Sequence, residues 1–372
     1  MKVTCLKNDL INALQVVSRA VANKPQMPIL SGIYMNAEGS TLELQANNFS
    51  LGVITKIPVS TEVSGQITVA GKYLLEIIRK LSGDTVTISH DAENAGIVNI
   101  QSDAASFNLL AMSSEDFPKV KSPETYSSFK IKSATLKNLI RKTVFACAVD
   151  EVRPIFTGCY FEINGTSVNL IATNTHRLAV MKEQVPEEIG DLRFIVPAAT
   201  LRDLMRMLDD SDAENFVTID CAMKYVAFTF DNVYMTSRLI EGQFPPYDKV
   251  IPHSSATFVT VNVAEMLAAV ERIALISKET EYNTIRFIFS DNGVNISSNS
   301  PEVGKAEERI PAQIEGPALD ISFNVVYISE VLKVLDSETC KIALNEHLQP
   351  ADIRETGNDN YIYVVTPVRT TK

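Results

Sequence analysis

GIYMNAEGSTLELQANN (residues 32–48), GCYFEINGTSVNLIATN (158–174) and TIRFIFSDNGVNISSNS (284–300) align without a gap at a constant spacing of 126 residues. In each stretch apolar residues alternate on both sides of a Gly- or Asn-containing turn, placed at Glu38-Gly39, Asn164-Gly165 and Asn292-Gly293. That alternation is the signature of a β-hairpin with one buried face, and three occurrences at a fixed period mark an internal repeat. Behind each hairpin a second segment recurs: QITVAGKYLLEIIRKL (66–81), RFIVPAATLRDLMRML (193–208) and DISFNVVYISEVLKVL (320–335). Each reads as a short strand running into an amphipathic helix, with Leu74, Leu201 and Ile328 equivalent. Ahead of each hairpin, MKVTCLKNDLINALQVVSRAV, FKIKSATLKNLIRKTVFACAV and FVTVNVAEMLAAVERIALIS share a strand-to-helix pattern with fewer identical letters.

Each repeat therefore holds two helices and many short strands, an α+β arrangement of helices packed on antiparallel sheet. The Pro- and Ser-rich stretches KSPETYSSF and IPHSSATF read as linkers, which gives three domains at 1–126, 127–253 and 254–372. The repeat pattern is equally compatible with a tandem array that does not close on itself.

Composition narrows the function. The chain has 372 residues, 45% of them hydrophobic and 21% charged, which is the profile of a globular protein and excludes disorder. No apolar run is long enough to span a membrane, and Asp9 interrupts the amino terminus before a secretory signal could form, so a cytoplasmic location is expected. Cys5, Cys147, Cys159, Cys221 and Cys340 are scattered and never spaced C-x-x-C, which points to free thiols and away from disulfides or zinc. No phosphate-cradling glycine loop, nucleophile elbow or metal-binding helix motif occurs. His90, His176, His253 and His347 lie far apart in sequence. No catalytic residue, metal or cofactor is expected.

The net charge of -11 disfavours nucleic-acid binding when taken as a total. Its distribution does not. The helix segments hold Arg19, Lys72, Arg79, Lys80, Lys137, Arg141, Lys142, Arg202, Arg206, Arg272 and Lys333 against fewer carboxylates, so the acid lies mostly elsewhere. Lys137 with Arg141, and Arg202 with Arg206, are i,i+4 pairs predicted to share a solvent face. The chain has no Trp, which argues against stacking on single-stranded bases; contacts to DNA would be to backbone, salt-sensitive and indifferent to sequence. One loop departs from the repeat: ATNTHRLAV (172–180) has counterparts ANNFSLGV and SNSPEVGK, so His176-Arg177 belongs to the middle repeat alone. That pair reads either as a catalytic histidine or as a hydrogen-bonded loop shaping a surface.

That loop, with RLIEGQFPPYDKVIP (238–252), VVTPVR (364–369) and KPQMPIL (24–30), resembles the bacterial DNA polymerase sliding clamp (β subunit) family along essentially the whole chain. The resemblance implies a DNA clamp fold in which two chains pair head to tail as a homodimer, six domains close a ring, helices line the hole and sheets form the outer wall. It implies double-stranded DNA as the encircled, non-specific partner. It also implies that the replicative polymerase, the clamp loader and repair proteins bind through short linear peptides. Carried over by position, the peptide groove comprises Phe156, Thr173, Thr175, His176, Arg177, Leu178, Pro245, Lys249, Val250, Tyr282, Leu348, Val364, Val365, Thr366, Pro367, Val368 and Arg369, with Thr, His and Arg at the rim fixing polar groups of the peptide. DNA contacts fall to Lys24, Lys72, Arg79, Lys80, Lys137, Arg141, Arg202 and Arg206, and the ring contact to Phe107 and Leu109 of one chain against Leu275 and Ile276 of the other. The chain departs from many members in carrying Thr366 where Met is frequent, Ala198 and Ala199 where basic residues are frequent, and a Thr370-Thr371-Lys372 end. The SDAAS flank of Phe107 offers no cation to Glu302, Glu307 and Glu308.

Overall fold

The computed structural model describes residues 1–91, 96–150, 152–212, 214–278 and 283–369. Each repeat opens on a strand and helix: β1 Lys2–Leu6 with α1 Lys7–Val17, β10 Thr125–Lys132 with α3 Ser133–Thr143, and β18 Thr257–Asn262 with α5 Val263–Ser277. The hairpins follow as β2 Gly32–Glu38 with β3 Thr41–Asn47, β11 Gly158–Asn164 with β12 Ser167–Thr173, and β19 Thr284–Ser290 with β20 Gly293–Ser300. Next come β4 Leu51–Pro58 and β5 Ser60–Val63, β13 Arg177–Gln184, and β21 Gly304–Ile310 with β22 Gln313–Glu315. The second strand-to-helix segments are β6 Gly65–Ala70 with α2 Gly71–Lys80, β14 Leu192–Pro197 with α4 Ala198–Met207, and β23 Leu319–Asn324 with α6 Val325–Leu332. The repeats end in β7 Thr85–His90, β8 Ile97–Ser102 and β9 Ala105–Met112; β15 Phe216–Ala222, β16 Tyr225–Phe230 and β17 Val233–Arg238; and β24 Thr339–Leu344, β25 Ala351–Glu355 and β26 Tyr361–Val365.

The period of 126 holds down to the register. Glu38 faces Thr41, Asn164 faces Ser167 and Ser290 faces Gly293, so all three hairpins have two-residue loops. These loops are Gly39-Ser40, Gly165-Thr166 and Asp291-Asn292, one residue beyond the turns predicted at the first two sites and one before the third. Gly39 (φ 58°) and Gly165 (φ 60°) occupy the left-handed region that a tight hairpin turn demands. Both supposed linkers are partly strand: KSPETYSSF enters β10 at Thr125 and IPHSSATF enters β18 at Thr257. Alternation continues through them because Phe129 and Val259 must reach the core.

The helices bury the stripes that their spacing requires. In α1 these are Leu10, Ala13, Leu14 and Val17, and in α5 Met266, Ala269, Val270, Ile273 and Ser277. Asn262 caps α5 by accepting from Glu265 N at 3.0 Å, and Asn324 caps α6 by accepting from Val326 N at 2.9 Å. All five cysteines are buried and unbridged.

Two compact units form, and neither coincides with one repeat. The first (residues 1–134 and 206–239) contains a 13-stranded sheet in which β10, β15, β16 and β17 of the middle repeat join the first repeat through β17 against β4, with Val233 opposite Thr55 and Ser237 opposite Leu51. The second (135–205 and 240–372) contains a nine-stranded sheet in which β11–β14 join the third repeat through β13 against β26, with Arg177 opposite Val365 and Met181 opposite Tyr361, and a four-stranded sheet of β19, β20, β21 and β23. An edge strand with open N–H and C=O groups pairs with whatever edge reaches it, and here that is the neighbouring repeat.

Inside the second unit the junction is reinforced by charge. Lys142 of α3 is 1% exposed and its ammonium sits 2.5 Å from Glu355 Oε1 and 2.9 Å from Asp336 Oδ2. Glu355 also accepts from Asp336 N at 2.6 Å and from Asn358 Nδ2 at 2.6 Å. Burial alone would raise the Glu355 carboxyl, but the hydrogen bonds from Lys142, Asp336 N and Asn358 outweigh it and hold the group below the ordinary glutamate value.

Candidate functional site

The second unit carries a groove of about 720 Å³. Its floor is apolar because two sheet strands and a Pro-rich loop converge there: Leu178 from β13, Val364 from β26, Phe156 from the 3₁₀ turn Pro154–Thr157, and Phe244 from the 240–252 loop. Phe244 stacks on Tyr160 at 4.8 Å between centroids and meets Phe156 edge-on at 6.0 Å, both favourable aromatic geometries. The loop wall is held by Tyr247, whose hydroxyl donates to Glu162 Oε2 at 2.7 Å. Burial first, then that bond to a carboxylate, pushes the Tyr247 phenol up, so it stays a protonated donor. A hydrogen bond to a charged acceptor contributes about 1.5–3 kcal/mol, and the pair is half-buried. Tyr247→Phe is accordingly expected to lower stability by about 1–2 kcal/mol in urea unfolding; an unchanged midpoint would show that the wall does not depend on this bond.

The opposite rim is the loop particular to the middle repeat. Asn174 Oδ1 accepts from His176 N (3.0 Å) and Arg177 N (3.1 Å), and Thr173 Oγ1 donates to Arg177 O at 2.7 Å. This network holds Thr175 at φ 76°, a conformation that costs a non-glycine residue about 1 kcal/mol or more. Thr366 closes the turn from the C-terminal strand, donating to His176 O through its N–H (2.9 Å) and its hydroxyl (3.0 Å).

Eleven of the seventeen residues carried over by resemblance line this groove: Phe156, Thr173, Thr175, His176, Arg177, Leu178, Pro245, Lys249, Val250, Val364 and Thr366. Leu348, half exposed, and Pro367, Val368 and Arg369 lie outside the lining; Val365 is fully buried behind it, as strand alternation requires of the neighbour of Val364. Tyr282 and the Thr370-Thr371-Lys372 end fall outside the described residues. The lining also takes in Phe244, Tyr247, His253, Ser254, Asn345 and Gln349. The first two sit in the Pro-rich segment already singled out, but nothing in their local spacing marks them as floor or wall. The last four come from a linker and a turn whose adjacency is purely tertiary.

Arg177 is not a rim group. It is 7% exposed, its guanidinium donates to Glu330 Oε2 and to Phe145 O, and it lies 4.4 Å from the Tyr327 ring and 5.4 Å from Phe145. Its Nε is buried without a hydrogen-bond partner among the described residues, facing aromatic surface that supplies cation–π attraction in its place. The side chain props α6 against the loop, whereas His176 is exposed and stacks over Tyr327 at 6.5 Å. No group of three or more His, Cys, Asp or Glu among the described residues is arranged to hold a metal.

Of the cations expected to meet DNA, Lys24, Lys72, Arg79, Lys80 and Arg206 are exposed. The last turn of α2 gathers Arg79 and Lys80, where the helix dipole favours positive charge. Lys137 is half-buried. Arg202 is also half-buried and donates to Val144 O at 3.3 Å. Arg141 departs from the predicted solvent-facing role: it donates to Val334 O (3.0 Å), Asn138 Oδ1 (3.0 Å) and Asp336 Oδ2 (2.5 Å), because its helix packs beside α6's trailing turn. Of the ring-contact set, Phe107 is 41% and Leu275 70% exposed, with Leu109 and Ile276 half-buried. Glu302 is exposed. Two of the glutamates already have partners within the chain, Glu308 with Arg272 (2.5 Å) and Glu307 with Lys305 (2.7 Å) and Asn295 (2.8 Å).

Three consecutive stretches match the DNA polymerase III beta subunit family: residues 1–121 its N-terminal domain, 130–246 its central domain and 248–369 its C-terminal domain. The chain is 33% identical to the beta sliding clamp of Bacillus subtilis and 31% identical to that of Synechococcus elongatus, covering 100% and 99% of both partners respectively. Among solved structures it matches the DNA polymerase sliding clamp of Bacillus subtilis with a TM-score of 0.92 at 33% identity, and a sliding clamp of Pseudomonas aeruginosa bound to griselimycin with a TM-score of 0.92 at 28% identity; both matches cover the full length of each chain.

Proposed function

The chain belongs to the DNA polymerase III beta subunit family, the beta sliding clamps, and from that premise we propose that its groove holds partner proteins by extended peptides whose apolar anchors fill the Phe156, Leu178, Phe244 and Val364 floor. Its function is that of a DNA sliding clamp, which confers processivity on a polymerase. DNA and a polymerase are the partners that this role entails. The observation that carries the peptide reading is the groove itself: a preformed apolar floor with hydrogen-bonding groups on its rim is the shape that takes a linear motif.

In our reading two copies close head to tail into a ring around the duplex. Two features support this. Among the described residues, 105–110 of β9 pair only with β8 and β21 pairs only with β20, so each unit presents an open strand edge flanked by the apolar residues named above. The exposed cations of α2 suit weak phosphate contacts, which tether without stalling. Once the ring is closed, a groove-bound polymerase meets its template intramolecularly, at a raised effective concentration and with no new chemistry. The clamp acts without catalysis, without metal or cofactor and in the cytoplasm, also serving the clamp loader and repair proteins, with domains at 1–126, 127–253 and 254–372.

The test is topological. After loading on a nicked circular plasmid the protein is expected to stay bound through gel filtration and to be lost when the plasmid is linearised. Equal retention on both forms would rule out encirclement.

A further inference from the structure

Two of the five buried cysteines touch. Cys147 Sγ lies 3.5 Å from Cys159 Sγ, although the residues are 12 apart in sequence, and neither is more than 1% exposed. Among the described residues theirs is the one contact between cysteine sulfurs. Cys147 caps the 3₁₀ turn Val144–Ala146, whose closing hydrogen bond, from Cys147 N to Val144 O, is long at 3.5 Å. Cys159 is set in β11 opposite Val196. The segment between the two sulfurs carries part of the groove floor: Phe156 belongs to that floor, Ala148 packs against it, and Ala148 N donates to Phe156 O at 2.8 Å. Tyr160, the neighbour of Cys159, packs there too through its stack on Phe244. Val149 and Val152 on the same segment are exposed and add no packing.

We propose that Cys147 and Cys159 are a redox-modification site, at which a hydroperoxide converts the two thiols into a disulfide that staples the groove floor. A disulfide holds its sulfurs about 2.05 Å apart, so the contact must shorten by about 1.5 Å, a move within reach of side-chain rotation. Cys147 reacts first. Peroxide reaches its sulfur when the 3₁₀ turn frays, a local opening that needs no global unfolding. The Cys147 sulfur attacks one peroxide oxygen, the O–O bond breaks, and a sulfenic acid and one water result. The Cys159 sulfur then attacks the sulfenic sulfur; the S–S bond forms, the S–O bond breaks, and the hydroxyl leaves with the Cys159 proton as a second water. Two electrons and two hydrogens thus pass from the thiols to peroxide. Burial first, then the hydrogen bond with Cys147, holds the Cys159 thiol well above its ordinary value, against the pull of Thr143 and Arg202. It is therefore slow toward free oxidant, and its advantage is a partner sulfur already in contact. Burial pushes the Cys5, Cys221 and Cys340 thiols up to about 12, and they have no such partner.

The experiment treats the native protein with hydrogen peroxide, alkylates the remaining thiols in urea and maps the tryptic peptides by mass. Residues 143–177 leave trypsin as one peptide, because Pro154 shields Arg153, and it holds Cys147 and Cys159 and no other cysteine. That peptide is expected to be unalkylated and two hydrogens lighter than its reduced form, and to regain both hydrogens with dithiothreitol, while Cys5, Cys221 and Cys340 are alkylated. Closing a loop of this length is expected to lower the urea-unfolding constant of the oxidised second unit roughly 100-fold against the reduced protein. Cys147→Ser, treated in the same way, should show no gain. Sulfinic acid at either cysteine, a disulfide to a second chain, or two thiols as intact as the other three would overturn the site, and the wild-type map alone decides this. A disulfide that left the urea midpoint unchanged or lowered it would overturn the staple.

Discussion

Lys142→Met is expected to destabilise the second unit by about 3–5 kcal/mol, because it leaves Glu355 buried with its counter-charge removed. Glu355 is 3% exposed on its side chain, so water cannot replace the lost ammonium. Desolvating a carboxylate is worth far more than the packing that methionine restores. The double variant Lys142→Met/Glu355→Leu should recover most of the loss, since apolar residues in place of a buried ion pair are often neutral or better. The pH dependence follows from the carboxylates. Glu355 and Asp336 are both held below their ordinary values, in each case with burial opposing and hydrogen bonds prevailing. Depressed groups contribute stability that is present above the unfolded-state value, about pH 4, and that is lost as pH falls through the folded value. The gap between wild type and Lys142→Met in urea unfolding should therefore be full at pH 7 and shrink below about pH 4. A gap that stays constant across that range would mean the ion pair is not its source.

Val250→Glu is expected to weaken binding of an apolar-anchored peptide about 100-fold while changing stability by less than about 0.5 kcal/mol. Val250 lines the groove and is 55% exposed, at the end of the 3₁₀ turn Tyr247–Val250. In the free protein a glutamate there remains solvated. In the complex the peptide anchor would cover it, and a charge stripped of water without a partner is costly. Anisotropy titration with a fluorescent apolar-anchored peptide checks the affinity, with thermal unfolding as the control. Unchanged affinity with an intact fold would place the peptide site elsewhere.

These two residues also show where sequence reading stops. Val250 comes from the likeness of RLIEGQFPPYDKVIP to a known family, and it lines the groove. Lys142 enters the sequence reading only as one of the cations of the helix segments. Helical spacing says which residues share a face, but not whether another repeat will cover that face, and the covering carboxylate is 213 residues away. Arg177 failed the same way: a loop arginine beside a histidine reads as a rim group until Glu330 and two aromatic rings, distant in sequence, close around it. His253 and Gln349 carried no signal because a linker and a turn reveal nothing about each other until Asn345 bonds them.

The sequence by itself determined the threefold repeat, its three hairpins to within one residue of their turns and its strand-to-helix segments, because alternation, helical period and turn chemistry act between residues a few positions apart. Only the tertiary structure decided that β4 joins β17 and β13 joins β26, so that sheets run across repeat boundaries and two units arise from three repeats. Strand edges carry the same unsatisfied amides and carbonyls whatever their side chains, so which edge an open strand finds is set by the geometry of the packed chain, and with it the groove.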